Sequence, residues 1–389
     1  MPDLTIKPNS GSGNKVIIQD QAGAAVLTTA DSGISSLVMK SSSAPGSPAE
    51  GEMYYNSSTK RPYIYNGSQW QGLHDLSKAT GGTISNYVDS GTTYIVHTFR
   101  SSGVFTPLSP FSIDYAIVAG GGGAGQNYSG GGGAGGLLTA ASYAVTAQAY
   151  TITVGSGGGT NTDGGNSIID PASGSALTAI GGGKGGTYVS TGTTSGASVG
   201  GSGGGAASAT GTHNGGAGTA GQGNAGGNYT GGNNGYQAAG GGGAGATGDS
   251  ETSAGGNGGN GGIGKNEIMG LSAAQTYTLL SSINVGESNQ SARWLAGGGG
   301  GSGYQGQSQA GNGGDGGLGG GGTGAGYYVD GDDSVYRYGE EGQPNTGGGG
   351  GGSGAASAFN YAAGDGALDI RGGPGYAGGS GVIMIRYTL

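Results

Sequence analysis

The sequence predicts a mainly β protein whose largest domain is built from packed polyglycine type II helices, with almost no α-helix. Three observations predict it. Glycine supplies 104 of the 389 residues, and all but 12 of those glycines follow Val118. In that stretch glycine comes in blocks and in period-three runs, not in the unbroken triplets of collagen, and proline totals only 10. Runs rich in Val, Ile and Tyr bracket the glycine blocks on both sides.

Each element follows in chain order. Residues 1–50 alternate short apolar stretches (4–6, 16–18 and 24–27) with Gly, Asn, Asp and Ser, then reach Ser43-Ala-Pro-Gly-Ser-Pro48, which reads as short strands and a linker. Too few large side chains are present to bury a core, so this region is expected to self-associate or to dock on another protein. Residues 51–91 read as an aromatic β-hairpin module and linker. Tyr54, Tyr55, Tyr63, Tyr65 and Trp70 surround Asn66-Gly67, a pair that supplies the positive φ values of a tight hairpin. Residues 92–389 form the glycine-rich domain. Its runs 94–99, 111–118, 150–154 and 382–387 are strands, and the first and last are expected to pair.

Polyglycine helices have three residues per turn and no internal hydrogen bonds, so they become a fold only by bonding to one another where no Cβ intervenes. A helix enclosed on all sides must be nearly pure glycine, as in residues 347–352, about 19 Å long at ~3.1 Å per residue. An edge helix can carry one side chain per turn. Gly255-Gly-Asn-Gly-Gly-Asn-Gly-Gly262 does so with Asn257 and Asn260, and Gly311-Asn-Gly-Gly-Asp-Gly-Gly-Leu-Gly319 with Asn312, Asp315 and Leu318. Disorder usually comes with charge, whereas residues 185–248 contain no Asp, Glu, Lys or Arg.

Several function classes are excluded or disfavoured. A net charge of −9 with 13 scattered basic residues argues against nucleic acid. There is no 18-residue apolar run for membrane insertion, and Met1-Pro2-Asp3 does not begin a signal peptide. No cysteine is present for disulfides or a cysteine-based zinc site. His74, His97 and His213 lie in unrelated settings, so no histidine-centred triad is visible, and Gly183-Lys184-Gly185 lacks the remainder of a phosphate loop. No enzyme, cofactor or metal is expected.

Val104-Phe-Thr, Asp114-Tyr-Ala-Ile-Val-Ala-Gly-Gly-Gly-Gly123, Gly130-Gly-Gly-Gly-Ala-Gly-Gly136, Tyr150-Thr-Ile-Thr-Val-Gly155, Ala179-Ile-Gly-Gly-Gly183 and Gly378-Gly-Ser-Gly-Val-Ile-Met-Ile-Arg-Tyr387 together resemble the glycine-rich domain of phage tail fibres and some bacterial surface proteins. The block of residues 51–74 is similar to a short aromatic hairpin module that recurs in phage fibre and other virion proteins. The resemblance implies a tail-fibre adhesin, located on a virion, in which a sandwich of polyglycine helices presents variable loops to a bacterial surface receptor, a glycan or an outer-membrane protein. It further implies virion attachment through residues 1–50 to other tail or head proteins and a homotrimeric fibre. A virion decoration or head fibre without a specific receptor is the alternative.

Because glycine presents no side chain, recognition is expected in the interruptions. The fullest one offers Tyr327, Tyr328, Asp330, Asp332, Tyr336, Arg337 and Tyr338, a tyrosine-rich composition that binding loops favour. Asp330, Asp332, Ser334 and Glu341 there follow the spacing of a calcium loop, but Val335 stands where that loop needs glycine, so a solvated acidic loop is the better reading. Tyr188 is a further candidate contact, and Tyr229 and Tyr236, in an Asn-rich segment, are candidate contacts expected to be exposed. Trp294 is expected to anchor the chain where it enters the glycine layers.

Overall fold

The computed structural model of the chain describes residues 17–19, 25–30, 33–37, 41–42, 44–57, 61–72, 77–190, 193–231, 236–251, 256–303, 305–306, 309–330, 333–354 and 374–389. Two compact units, Met1–Lys78 and Ala79–Leu389, make up the chain. The second begins earlier than residue 92. Thr83–Asp89, within the expected linker, pairs with Thr92–Phe99 along its whole length and so belongs to the glycine-rich unit.

In the first unit, Ile17–Gln19, Ala25–Ala30 and Gly33–Leu37 form an antiparallel sheet. The aromatic module is a meander of three antiparallel strands, Met53–Asn56, Arg61–Tyr65 and Trp70–Gly72, with Ser41–Ser42 added in parallel. Buried Tyr54 holds it together, stacked on Tyr63 at 5.3 Å and edge-on to Trp70 at 4.6 Å. Its second turn is wider than a two-residue hairpin. Only Gly67 takes a positive φ, of 89°, while the Asn66 side chain accepts the backbone N–H groups of Ser68 and Gln69.

The second unit has a β base. One five-stranded antiparallel sheet runs in the order Leu137–Val145, Phe111–Val118, Val382–Thr388, Thr92–Phe99, Thr83–Asp89. The other runs Leu177–Ala179, Ser167–Pro171, Tyr150–Thr153, Gly103–Pro107, Ala79–Thr80. The last strand pairs with Thr92–Phe99 from Tyr94↔Thr388 to Phe99↔Ile383, so the unit's first long strand and its last close on each other as expected. Alternation along the last strand divides two cores. Ile383, Ile385 and Tyr387 face the second sheet with Phe105, Ile117 and Ile152, while Val382 and Met384 join Val96, Val118, Leu279 and Leu280 on the opposite face. A strand covered on both faces needs an unbroken apolar run, which Val-Ile-Met-Ile supplies.

The opposite face is covered by the unit's α-helix, Ala273–Ser282, which begins with a capping box between Ser272 and Gln275. Two polar groups are folded into the base. His97 is fully buried, with its Nδ1 donating to Gly81 O at 2.6 Å and its Nε2 accepting from the Tyr387 hydroxyl at 2.9 Å. Arg386 pairs with Asp114, donates to the Tyr87 hydroxyl at 2.8 Å and lies 4.4 Å over the Tyr94 ring.

Above the base, glycine runs are joined by backbone bonds that rotate with period three. In residues 120–125, Gly120 and Gly123 donate to Gly165 and Thr162, Gly121 and Ala124 to Gly379 and Tyr376, and Gly122 and Gly125 to Gly133 and Gly130. In residues 130–136 the three partners are residues 186, 183 and 180, then 239 and 242, then 350 and 347. Each run thus donates to three neighbours at successive thirds of a turn, which is the packing of polyglycine type II helices. Residues 347–352 are enclosed as expected. Gly349, Gly350 and Gly351 donate to Gly297, Gly122 and Glu340, and the carbonyls of Gly348, Gly349 and Gly350 accept from Gly379, Gly322 and Gly132. Six runs surround that helix.

Edge runs are stitched by side chains at the same period. Asn257 and Asn260 accept the backbone N–H groups of Asn312 and Asp315, each at 2.9 Å. Asp163 and Asn166 do the same for Lys184 and Gly181, each at 2.8 Å. An exposed run lacks a backbone acceptor on one side, and the carbonyl or carboxylate of an Asn or Asp replaces it.

Candidate recognition surface

The runs alternate in direction, so their connections fall at two ends. Turns 219–222, 244–246, 319–320 and 344–346 and the helical segment 265–295 lie on the side of the β base: Leu137 N–H donates to Gln222 O, Ala244 and Leu280 share the base's core, Gly319 and Gly320 donate to Glu287, and Gly347 lies against Val118. The other connections converge at the far end, as their mutual bonds show. Tyr188 N–H donates to Asn127 O, Ser208 to Tyr128, Tyr128 to Gly354, Ser302 to Ser129, Gly303 to Ala325, Gly211 to Gly231 and Thr230 to Glu251. The hairpins Thr187–Ser190 with Thr193–Ser195, Gln305–Gly306 with Gln309–Ala310, and Gly326–Asp330 with Asp333–Arg337 stand there.

At the centre of this end the first interruption, Gln126-Asn-Tyr-Ser129, turns the chain between two glycine runs. Asn127 and Tyr128 carry it with φ values of 55° and 42°, a left-handed backbone that is uncommon for tyrosine. The turn places the half-buried Tyr128 ring 4.5 Å from Tyr236 and 5.9 Å, edge-on, from Tyr188. Two sequence-selected tyrosines are therefore joined through a third that the sequence reading passed over. The signal was available, since residues 126–129 are the only break between the blocks at 120 and 136. Val189, beside Tyr188, is 60% exposed.

The tyrosine-rich segment forms a β-hairpin in which Tyr327 pairs with Tyr336, Tyr328 with Val335 and Asp330 with Asp333. The side chains of Tyr327, Tyr328, Asp330 and Tyr336 and the whole of Asp332 lie outside the described residues. Arg337 is exposed, and Tyr338 is 57% exposed. The hairpin replaces the loop that the calcium spacing would need, because Glu341 already lies in the returning run.

One expectation is corrected. Tyr229 is fully buried, not exposed. It sits between two neighbouring runs, bridged to His213 on one side and Glu251 on the other, with its ring against Ala206 and Ala239. The Asn-rich composition around it reflects stitching between runs, as where Asn228 accepts the Gly215 N–H at 2.9 Å. Trp294 is half-buried where the chain enters the layers, paired with Glu287, and Leu295 beside it is fully buried in the base.

Among the described residues, this end offers half-buried tyrosines, small hydroxyl residues and the Arg337 guanidinium on a scaffold whose runs are fixed by bonds to several neighbours. Among the described residues no group of three His, Cys, Asp or Glu converges as a metal site, and no helix is long and apolar enough to cross a membrane. Residues 100–388 match the family model of the glycine-rich domain. Comparison with curated proteins and with solved structures finds no match.

Proposed function

The chain belongs to the glycine-rich domain family, and we propose that it is a tail-fibre type adhesin that binds a bacterial surface through the end of its glycine body remote from the β base. The observation that carries this reading is the segregation of side chains. The body consists of runs whose backbones bond one another, while the interruptions other than the helical segment at the base gather hairpins and tyrosines at one end, where Tyr128, Tyr188 and Tyr236 come together. Such a scaffold tolerates sequence change in its loops without loss of the frame, which suits a surface that must track a variable receptor. In this reading residues 1–50 attach the chain to other virion proteins, and the fibre is a homotrimer.

Exchanging the segments 126–129, 187–195 and 327–336, which leave the groove-lining Arg337 and the glycine runs in place, for those of a related chain with a different host range is expected to change which cells are bound while the melting temperature stays the same. Unaltered cell binding after all three exchanges would refute the reading.

A further inference from the structure

Beside the far end, a groove of about 460 Å³ runs down the flank of the glycine body, lined by Asp249, Glu251, Asn257, Asn260, Asn312, Asp315 and Arg337 over a floor of Gly258, Gly259 and Gly313. Its size falls within the range of ligand clefts, about 300–1,000 Å³. The two period-three edges that stand out in the sequence, Asn257 with Asn260 and Asn312 with Asp315, form two of its walls.

The stitching between these edges fixes which atoms face outward. Since Asn257 Oδ1 accepts the Asn312 N–H, its Nδ2 amino group is turned to the groove and has no protein acceptor among the described residues. Asn260 is oriented likewise, but its Nδ2 is taken by Asp249 Oδ2 at 3.0 Å. The Asp315 and Glu251 carboxylates and the Arg337 guanidinium also lack a side-chain partner among the described residues. The groove therefore holds separated donors and acceptors, with a flat floor free of side chains between them.

This lining discriminates among ligands. An apolar ligand finds no apolar side chain. An anion meets three carboxylates against one guanidinium. A single cation finds no converging set of three acidic or imidazole ligands among the described residues. What matches is a neutral polyhydroxyl compound, whose adjacent hydroxyls donate to carboxylates and accept from amide and guanidinium N–H groups. We propose that this groove is a binding site for an uncharged saccharide, a second contact surface beside the end loops. The inference deepens the adhesin reading and rests on it for the ligand's source, the polysaccharide of a cell surface. Burial and the neighbouring Asp249 charge raise the Glu251 carboxyl to about 7, so it can act as both donor and acceptor near neutral pH.

The test uses the full chain on an array of neutral, sialylated and phosphorylated oligosaccharides, followed by titration of the best neutral binder. Wild type is expected to bind neutral members. Asp315→Ala and Arg337→Ala, both at exposed positions, are each expected to weaken binding at least tenfold with no change in melting temperature. Asn257→Asp keeps the acceptor that stitches the two runs and replaces the outward donor, so it is expected to lose binding while remaining folded. Binding confined to charged glycans, or equal binding by all three variants, would overturn the proposal. So would an array with no binding when the chain still adheres to cells, an outcome that leaves the end-loop reading standing. Neutral-glycan binding that persists when loop exchange leaves cell binding unaltered would sink the end-loop reading and keep the groove.

Discussion

The β base and the glycine body of the second unit solve the same problem by opposite means. In the base, large side chains exclude water, and the backbone bonds within each sheet follow strand pairing. Ile117, Ile383, Phe105 and Leu280 are each fully buried there. In the body there is almost no side chain to bury, and backbones themselves fill the interior, each bonded to several others. Glycine loses the most conformational entropy on ordering, so the body depends on making nearly every one of those bonds. The base supplies a hydrophobic platform from which the first run departs at Val118 and to which the last returns at Val382. A base can be repacked; a body of this kind cannot be filled.

The largest effect that tests this contrast is a single methyl group. A Cβ on Gly349 would meet the Gly132 carbonyl oxygen and the Gly299 nitrogen, backbone atoms of two different runs, nearer than the 3.0 Å that real Cβ atoms keep. Gly349→Ala is expected to cost more than the roughly 1–3 kcal/mol of ordinary overpacking and to prevent folding of the body. Ile117→Ala in the base is the counterpart, a cavity of about 2–5 kcal/mol that leaves a folded protein with a lower melting temperature. Thermal melts followed by backbone circular dichroism check both. A Gly349→Ala protein as stable as wild type would break the comparison.

Much of this division was legible in the sequence, because period three and period two are written in residue types. The pure block at 347–352 is the enclosed helix, and Asn257 and Asn260 lie on an edge. The strands at both ends of the glycine region pair as their Val and Ile content predicts. The helix Ala273–Ser282 was missed, since Thr276, Thr278 and Ser281 blur its apolar stripe; the capping box Ser272-Ala-Ala-Gln275 was the readable sign. Tyr229 was misread because composition reports what a segment contains and not how many runs flank it. Convergence of Tyr128, Tyr188 and Tyr236 could not be read at all, since it depends on which runs become neighbours.

Acidity sharpens the contrast at the body's edge. The folded Glu251 carboxyl titrates at about 7 against an ordinary 4.5, raised first by burial and then by Asp249. Between those values the folded state holds a proton that the unfolded chain has released, so stability falls as pH rises through the window and levels off above it. The groove is open to solvent, which reduces the effect to roughly 1–2 kcal/mol. Denaturant melts at about pH 5 and about pH 8 are expected to differ by that amount in wild type. Glu251→Gln should keep the base's own pH response and lose this difference; an unchanged difference would place its origin elsewhere.

The smallest effect concerns the stitching itself. Asn260→Ala removes the acceptor of the Asp315 N–H and the donor to Asp249. Both positions are exposed, so water can take up the freed groups, and the expected cost is about 0.5–1.5 kcal/mol. Asn260→Asp restores the acceptor alone and sets a further carboxylate beside Asp249 and Glu251. Hydrogen exchange at the Asp315 amide separates the two variants: it should quicken in the alanine form and stay protected in the aspartate form. Equal protection in both would mean that backbone bonding alone holds the edge run in register.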